Sequence, residues 1–344
     1  MNLKELADHL NLSPTTVSRA LNGYPEVREQ TRQRVIEAAH RLHYQPSQSA
    51  QRLATGRSRT IGHIIPRSQQ TVLGPHFAEI IAGISDTSSQ HGYDSQLSVV
   101  ADDEEEAFYK EVIASRRVDG FVVHGPRVND ARIKLLNDMG IPFIVHGRSD
   151  VNLAYSWMDV NNRSALKRAT EFLLDLGHES IGFLNGTEYM YFAARRRIGY
   201  LDAFKERGLR ADTSLMFSDE LTEAYGFEAS TELLSRKNIP SALVVSGILP
   251  AYGALRAITH HGLSVPDDLS IITYDDKLSY LPNSGVIPLF TAMRSSIRDA
   301  GTRLIELLVQ RIEEPDAPPL QELWEAELVV GQSTGRPRAS VNSV

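Results

Sequence analysis

No cysteine occurs among the 344 residues. The chain therefore forms neither disulfides nor thiolate metal sites, and it fits a reducing compartment such as the cytoplasm. No apolar run approaches the roughly 18 residues a membrane-spanning helix needs, so no membrane partner is expected. The N-terminus runs straight into an amphipathic stretch with Lys4, Glu5 and Asp8, and no signal peptide is expected either. Signatures of catalysis are also missing. No Gly-x-Gly-x-x-Gly follows a strand, there is no Walker-type Gly-Lys-Thr/Ser loop, and no serine sits in a nucleophile elbow. His260-His261 and the scattered histidines lack the spacing of a zinc site. The expectation is a binding protein rather than an enzyme, with no cofactor and no metal.

Hydrophobic residues make up 42% of the chain, enough for sizeable cores, and the length suggests two or three domains. The net charge of −7 is unevenly spread. Residues 1–60 carry nine Lys/Arg against five Asp/Glu, a balance of +4, which leaves −11 for residues 61–344. A basic head on an acidic body suits a modular DNA binder: the head attracts phosphate and the body stays off the duplex.

The head opens with LKELADHLNLSPTTVSRALN (3–22). Leu3, Leu6, Ala7 and Leu10 share one helical face, and Val17, Ala20 and Leu21 share another. Asn11 tolerates the left-handed backbone of a sharp turn, Ser13 suits an N-cap, and Pro14 suits the first helical position. Thr15, Thr16, Ser18 and Arg19 then face outward. Short donors and acceptors plus one guanidinium match base edges in a major groove. The plainer alternative is a helical hairpin with a solvated polar face. A third helix is predicted over 27–44, with Val35, Ile36, Ala39 and Leu42 inward. Residues 47–54 read as one more helix of about two turns, too short to stand unpacked.

From Ile61 onward apolar strands alternate with amphipathic helices. Strands are predicted at 61–65, 93–100, 119–125 and 142–147, and a second series at 180–186, 241–247 and 269–276. The pattern implies two α/β lobes with a cleft at the carboxyl ends of their strands. Residues 291–293 and 323–330 read as strands returning to the lobes, and 333–344 as a loose polar tail. No sustained heptad repeat supports a coiled coil.

SPTTVSRALNG (13–23), TRQRVIEAAHRLHYQP (31–46) and SAQRLATGRSRTIG (49–62) resemble the headpiece of the lactose-repressor (LacI/GalR) family of bacterial transcription regulators. RRVDGFVVHG (116–125), LGHESIGFLNG (176–186), RRIGYLDAF (196–204) and VPDDLSIITYDD (265–276) extend the resemblance over nearly the whole chain. The fold it implies is α/β. A three-helix helix-turn-helix headpiece (1–46) and a hinge helix with linker (47–59) precede a two-lobed, periplasmic-binding-protein-like core of doubly wound parallel sheets (60–344). The first lobe takes 60–160 and 290–322, the second 161–289 and 323–332.

The resemblance also implies site roles. Thr15, Thr16 and Arg19 would read base edges, with Pro14 and Ser18 on the same surface. Ser13, Asn22, Thr31 and Tyr44 would hold phosphates, and Arg28 would add another phosphate contact. Ala50 and Leu53 belong to the hinge helix, where Leu53 matches a leucine that wedges into the minor groove. In the cleft, Asp275 follows an apolar strand and either accepts ligand hydroxyls or caps the next turn. Arg196 is the one of three consecutive arginines that the R-x-x-G-Y pattern turns inward. His124 ends a strand as an effector contact or a structural histidine. Arg148 and Arg294 lie near lobe crossovers, as ligand contacts or braces. Phe77 and Leu221 are candidate apolar walls, Phe77 equally a core residue, and the role of Trp157 is open. Where the family usually has Asn-Asp, this chain has Gly247-Ile248, so Ser246 or water would replace that contact, or the ligand is different. The loop 67–75 is about four residues longer than is typical of the family.

The expected function is a cytoplasmic, homodimeric repressor of carbohydrate-utilisation genes. It would be released from a pseudo-palindromic double-stranded DNA operator by a small sugar. The alternatives are a regulator answering to a purine-type corepressor or a phosphoprotein, and a sugar-binding transport component.

Overall fold

The computed structural model describes residues 1–21, 23–44, 56–67, 74–281, 283–284 and 286–338, in two compact units, Met1–Arg59 and Thr60–Val344. Asn22, Ala50, Leu53, the hinge segment 47–54 and loop residues 68–73 lie outside the described residues.

The first unit contains α1 (Leu3–Leu10), α2 (Pro14–Leu21) and α3 (Glu29–Arg41). Asn2 and Glu5 cap α1 reciprocally, and Asn11 ends it at φ 52°. Ser13 Oγ accepts the Thr16 N–H at 3.0 Å, which starts α2. Leu6, Ala7, Leu10, Val17, Ala20, Val35, Ala38 and Ala39 meet in one small core. The expectation for α3 needs correcting: the helix is shorter than 27–44, Ile36 is exposed, and Ala38 takes the inward place. Val35, Ala38, Ala39 and Leu42 keep the helical spacing, so period decides the inward face over side-chain size. Two of the head's cations are structural. Arg32 Nη2 donates to Tyr24 O at 2.9 Å, and Arg34 Nη2 donates to Leu10 O at 3.1 Å.

The second unit alternates strands and helices. Its first part runs β1 (Thr60–Pro66), α4 (Pro75–Gln90), β2 (Asp94–Val100), α5 (Glu105–Ala114), β3 (Gly120–Val123), α6 (Ala131–Asp138), β4 (Phe143–His146) and β5 (Trp157–Val160). The second part runs α7 (Asn162–Asp175), β6 (Ile181–Asn185), α8 (Tyr191–Glu206), β7 (Met216–Ser218), α9 (Glu223–Leu234), β8 (Ala242–Val245), α10 (Ile248–His260), β9 (Ser270–Asp275) and β10 (Thr291–Arg294). Then come α11 (Ile297–Glu313), β11 (Gln321–Trp324) and β12 (Glu327–Val329).

Two six-stranded sheets result, ordered β11-β5-β4-β3-β1-β2 and β12-β10-β9-β8-β6-β7. All pairs are parallel except β10 with β12. Helices cover both faces of each sheet, as parallel strands buried on two sides require. Ile61, Val122, Ile144 and Met158 pack against α4 and α11, while Val118, Phe121 and Val123 pack against α5 and α6. Strands β6, β8 and β9 divide their side chains between α7–α8 and α9–α10 in the same way.

Three sequence expectations are corrected here. Strand β10 lies in the second sheet, so the first lobe does not regain the chain at 290 but only with α11. Residues 323–330 are not one returning strand; β11 joins the first sheet and β12 the second. The tail is not loose from 333. Ser333 is buried, its Oγ donates to Ile271 O at 2.5 Å, and Gly335 N donates to Ser270 Oγ at 3.0 Å. The chain thus passes between the lobes after β5, after β10 and between β11 and β12. No helix of the described residues is long and apolar enough to cross a membrane.

Candidate functional site

Two surfaces gather the residues singled out from the sequence. On the first unit, Ser13, Thr15, Thr16, Arg19, Arg28 and Thr31 line an open hollow of about 450 Å³ together with Glu26 and Val27. Ser13 Oγ is also 2.8 Å from Thr16 Oγ1, so the two hydroxyls orient each other at the start of α2. Pro14 is exposed beside them and Ser18 is half-buried. The hollow offers hydroxyls of either hydrogen-bonding sense and two guanidinium groups, the chemistry that reads base edges and phosphates. Tyr44 is anchored by its ring. Its ring belongs to the headpiece core, and burial pushes its phenol up from 10.

On the second unit, the carboxyl ends of the two sheets face each other and are joined directly. His76 Nε2 in α4 lies 2.9 Å from Asp276 Oδ2, just past β9. Glu79 accepts the Ser279 N–H at 2.9 Å and the Arg298 Nε–H at 3.0 Å. Beside these, Val128 N donates to Tyr189 O and Tyr191 N to Pro126 O, each at 3.0 Å, so the loop after β3 pairs with the start of α8.

Arg196 is the inward arginine, as expected, and is buried. Its Nε donates to Asn162 Oδ1 at 2.7 Å and its Nη1 to Ser246 O at 2.5 Å. The guanidinium lies 4.0 Å from the centre of the Tyr274 ring and 5.0 Å from that of Phe192. Burial pulls its pKa down from 12.5. Ser246 does not stand in for the absent Asn-Asp contact. It is wholly buried, its Oγ donates to Asn185 Oδ1 at 3.0 Å, and its carbonyl holds Arg196. Gly247 caps α10 with Leu221 beside it, and Ile248 points into the second-lobe core.

Asp275 takes the capping role. Its Oδ1 accepts the Lys277 N–H at 2.9 Å and its Oδ2 the Arg294 Nε–H at 3.0 Å. Arg294 also donates to Asn283 O. The carboxylate that reaches the first lobe from β9 is instead Asp276, whose charge also acts on Arg196. Burial alone would raise its pKa, but the His76 hydrogen bond and the Arg196 charge hold it below the ordinary 3.8. Alternation along a strand puts Asp276 on the same side as Tyr274, on which Arg196 stacks; that period-two relation was the available signal. Arg148 acts as a brace: its Nε donates to the buried Asp159 at 2.8 Å, and its guanidinium lies 4.8 Å from the Trp157 ring centre. Burial raises the Asp159 carboxyl despite that partner.

His124 and His63 are buried on the first-lobe side, and His146 is half-buried beside them. His63 Nδ1 lies 3.0 Å from His124 Nε2, and the His146 ring is 6.2 Å from the His124 ring. Phe77 is a core residue whose ring meets His124 edge-on at 5.4 Å. Burial pushes His63 and His146 down to about 4 and His124 well below 6.5, so all three rings are neutral. The sequence signal for His146 was its echo of His124: FVVHG and FIVHG end neighbouring strands, and Gly125 (φ 52°) and Gly147 (φ 105°) turn the backbone away after each. Below the histidines, Arg132 Nη2 donates to His124 O and Gly125 O at 3.1 Å and to Asp130 Oδ2 at 2.6 Å. No group of three or more His, Asp or Glu placed to hold a metal ion occurs among the described residues.

Residues 2–47 match the bacterial regulatory proteins, lacI family, and residues 170–334 match the periplasmic binding protein-like domain. The HTH-type transcriptional regulator AglR of Rhizobium meliloti (strain 1021) is 42% identical over 337 residues, covering 97% of this chain and 94% of that protein. The HTH-type transcriptional regulator RafR of Escherichia coli is 33% identical over 343 residues, covering 98% and 99%. Among solved structures, a transcriptional regulator CelR–cellobiose complex aligns with a TM-score of 0.72 at 26% identity, covering 97% of this chain and 99% of that one.

Proposed function

The chain belongs to the lacI family of bacterial regulatory proteins, and we propose that it represses carbohydrate-utilisation genes until a neutral sugar enters the cleft between its lobes. It is a DNA-binding transcription regulator and not an enzyme. The CelR structure holds cellobiose, which favours a sugar for this cleft as well.

The observation that carries a neutral effector is charge balance. Arg148, Arg196 and Arg294 stand against Asp159, Asp275 and Asp276 at the ends of the strands, and two of these cations are bonded directly to a carboxylate. His63, His124 and His146 are neutral. A ligand with a net charge would leave one sign in excess among groups that are largely buried, which is costly. A polyhydroxylated neutral molecule uses the same groups as donors and acceptors. In this reading Arg196, Asp276 and His124 meet the effector, with Leu221 as an apolar wall. Arg148, Ser246, Gly247, Asp275 and Arg294 position those groups, and Phe77 sets the His124 ring.

Operator contacts come from the α2 hollow: Thr15, Thr16 and Arg19 on bases, Ser13, Arg28 and Thr31 on phosphates. A homodimer presents two such surfaces to a pseudo-palindromic site, Leu53 inserts between them, and binding to chromosomal DNA places the protein in the cytoplasm. Effector binding changes the lobe geometry and weakens operator binding, with coupling of about 1–3 kcal/mol.

The deciding experiment selects operator DNA from a random pool with the purified protein. Fluorescence anisotropy at fixed salt then follows release by neutral mono- and disaccharides, a uronic acid, a sugar phosphate and purine bases. Release by a neutral sugar alone is the expected result. Release by the charged sugars, or tightening by a purine, would overturn it.

A further inference from the structure

We propose that His63 is a positioning residue for the effector site: its Nδ1–H donates to His124 Nε2 and so fixes His124 in the tautomer protonated on Nδ1. The proposal rests on the reading of the cleft as the effector site, and it concerns a residue that lies within the first sheet rather than at its edge.

His63 sits in mid-strand on β1, wholly buried, with its ring centre 5.3 Å from that of His124. Between Nδ1 of one ring and Nε2 of the other, 3.0 Å apart, there is room for one proton. Burial keeps both rings neutral, so each carries a single N–H.

Two arrangements satisfy this count. In the first, His124 donates from Nε2, and the His63 proton must then sit on its own Nε2. That atom is buried and has no hydrogen-bond partner among the described residues. In the second, His63 donates from Nδ1 and its Nε2 is left as a bare lone pair. A buried N–H without an acceptor is the rarer defect in folded proteins, and an acceptor short of a donor the commoner one. The second arrangement is therefore favoured.

Its consequence lies one residue away. With Nε2 accepting from His63, His124 keeps its proton on Nδ1 and has no remaining acceptor nitrogen. The ring is held edge-on by Phe77, and its backbone carbonyl is held by Arg132. Toward a ligand, His124 then only donates. An effector must bring an oxygen acceptor to that point, as a sugar hydroxyl, ring oxygen or glycosidic oxygen does, and a ligand N–H finds no partner there. His63 in this way selects the chemistry of the cleft without touching its contents.

The test uses the full chain labelled with ¹⁵N-histidine, long-range ¹H–¹⁵N correlation spectra, and the sugar titration against selected operator. In the parent protein, both His63 and His124 should be protonated on Nδ. His63→Leu removes the donor to Nε2, so the share of His124 in the Nδ form should fall and a mixture of forms appear. It should also raise the sugar concentration for half-release by about tenfold, the loss expected for one ordinary hydrogen bond, with sugar-free operator affinity unchanged. His63→Asn places an amide where Nδ1 was and should restore much of the response. An Nε-protonated His63 in the parent overturns the proposal. So does a His63→Leu protein with an unaltered sugar response. Should that variant not fold, the parent spectrum and His63→Asn decide. If no neutral sugar moves the parent protein off its operator, the effector reading fails, while the tautomers are still read from the spectrum.

Discussion

His76 Nε2 and Asp276 Oδ2, 2.9 Å apart, join the first turn of α4 in one lobe to the end of β9 in the other. The pair is largely screened from solvent, and no covalent crossover lies near it in sequence. A double-mutant cycle with His76→Ala and Asp276→Asn, read by chemical unfolding of the chain, should give a coupling energy of about 0.5–2 kcal/mol. Additive effects of the two substitutions would mean that the contact holds nothing together.

A pH profile should expose His63 and His146. His63 and His146 are held at about 4 in the fold, against 6.5 for a free imidazole. The unfolded chain therefore takes up protons first as pH falls. Their stabilising effect is complete above 6.5 and is lost progressively down to about 4. Each ring contributes a slope on the order of 1.4 kcal/mol per pH unit. Denaturant unfolding at several pH values in this window should show stability falling steeply, and less steeply for His63→Asn. Parallel profiles for the two proteins would contradict neutral burial of His63.

Arg132 is expected to be among the most sensitive positions in the body. It is buried and bonded to Asp130, with Glu105 3.5 Å away. Burial would raise the Asp130 carboxyl, but the Arg132 hydrogen bonds hold it below 3.8. Arg132→Met strands a buried carboxylate and should cost about 3–5 kcal/mol in unfolding free energy. Adding Asp130→Asn should recover part of that loss. A double variant no more stable than Arg132→Met alone would assign the damage to packing instead.

Arg19 and Arg28 should differ in how they fail. Arg19→Ala removes a candidate base contact and should cost about 1–3 kcal/mol on the selected operator while leaving nonspecific binding nearly intact. Arg28→Ala removes a phosphate contact. It should weaken all sequences alike and lower the salt slope by about one. Anisotropy titrations at several salt concentrations separate the two, and identical behaviour would merge their roles.

The headpiece was legible because its signals are local. A cap, a left-handed Asn11 and a helical period each occupy a few adjacent residues. The body was legible wherever a strand was long and apolar, as at β1, β6 and β9. Strand β5 escaped because it is four residues long and gains its pairing from β4 and β11, far away in sequence. Helix α11, absent from the sequence expectations, is carried by the spacing of Ala300, Leu304, Leu308 and Ile312. In the cleft, Arg196 could be chosen from its pattern. The choice between Asp275 and Asp276 could not, because it depends on Arg294 and His76 arriving from other elements. Ser246 looked like a free hydroxyl for the same reason: its partner Asn185 is 61 positions away.

The threefold passage of the chain between the lobes bears on how such a protein can change over generations. The unit ending at Arg59 is one uninterrupted stretch of gene, so a single recombination can exchange the operator that is read. Neither lobe is continuous, and no single splice transplants half a cleft. New effector preferences must therefore accumulate by substitution within a body inherited whole, while new addresses on the chromosome can be acquired at one stroke.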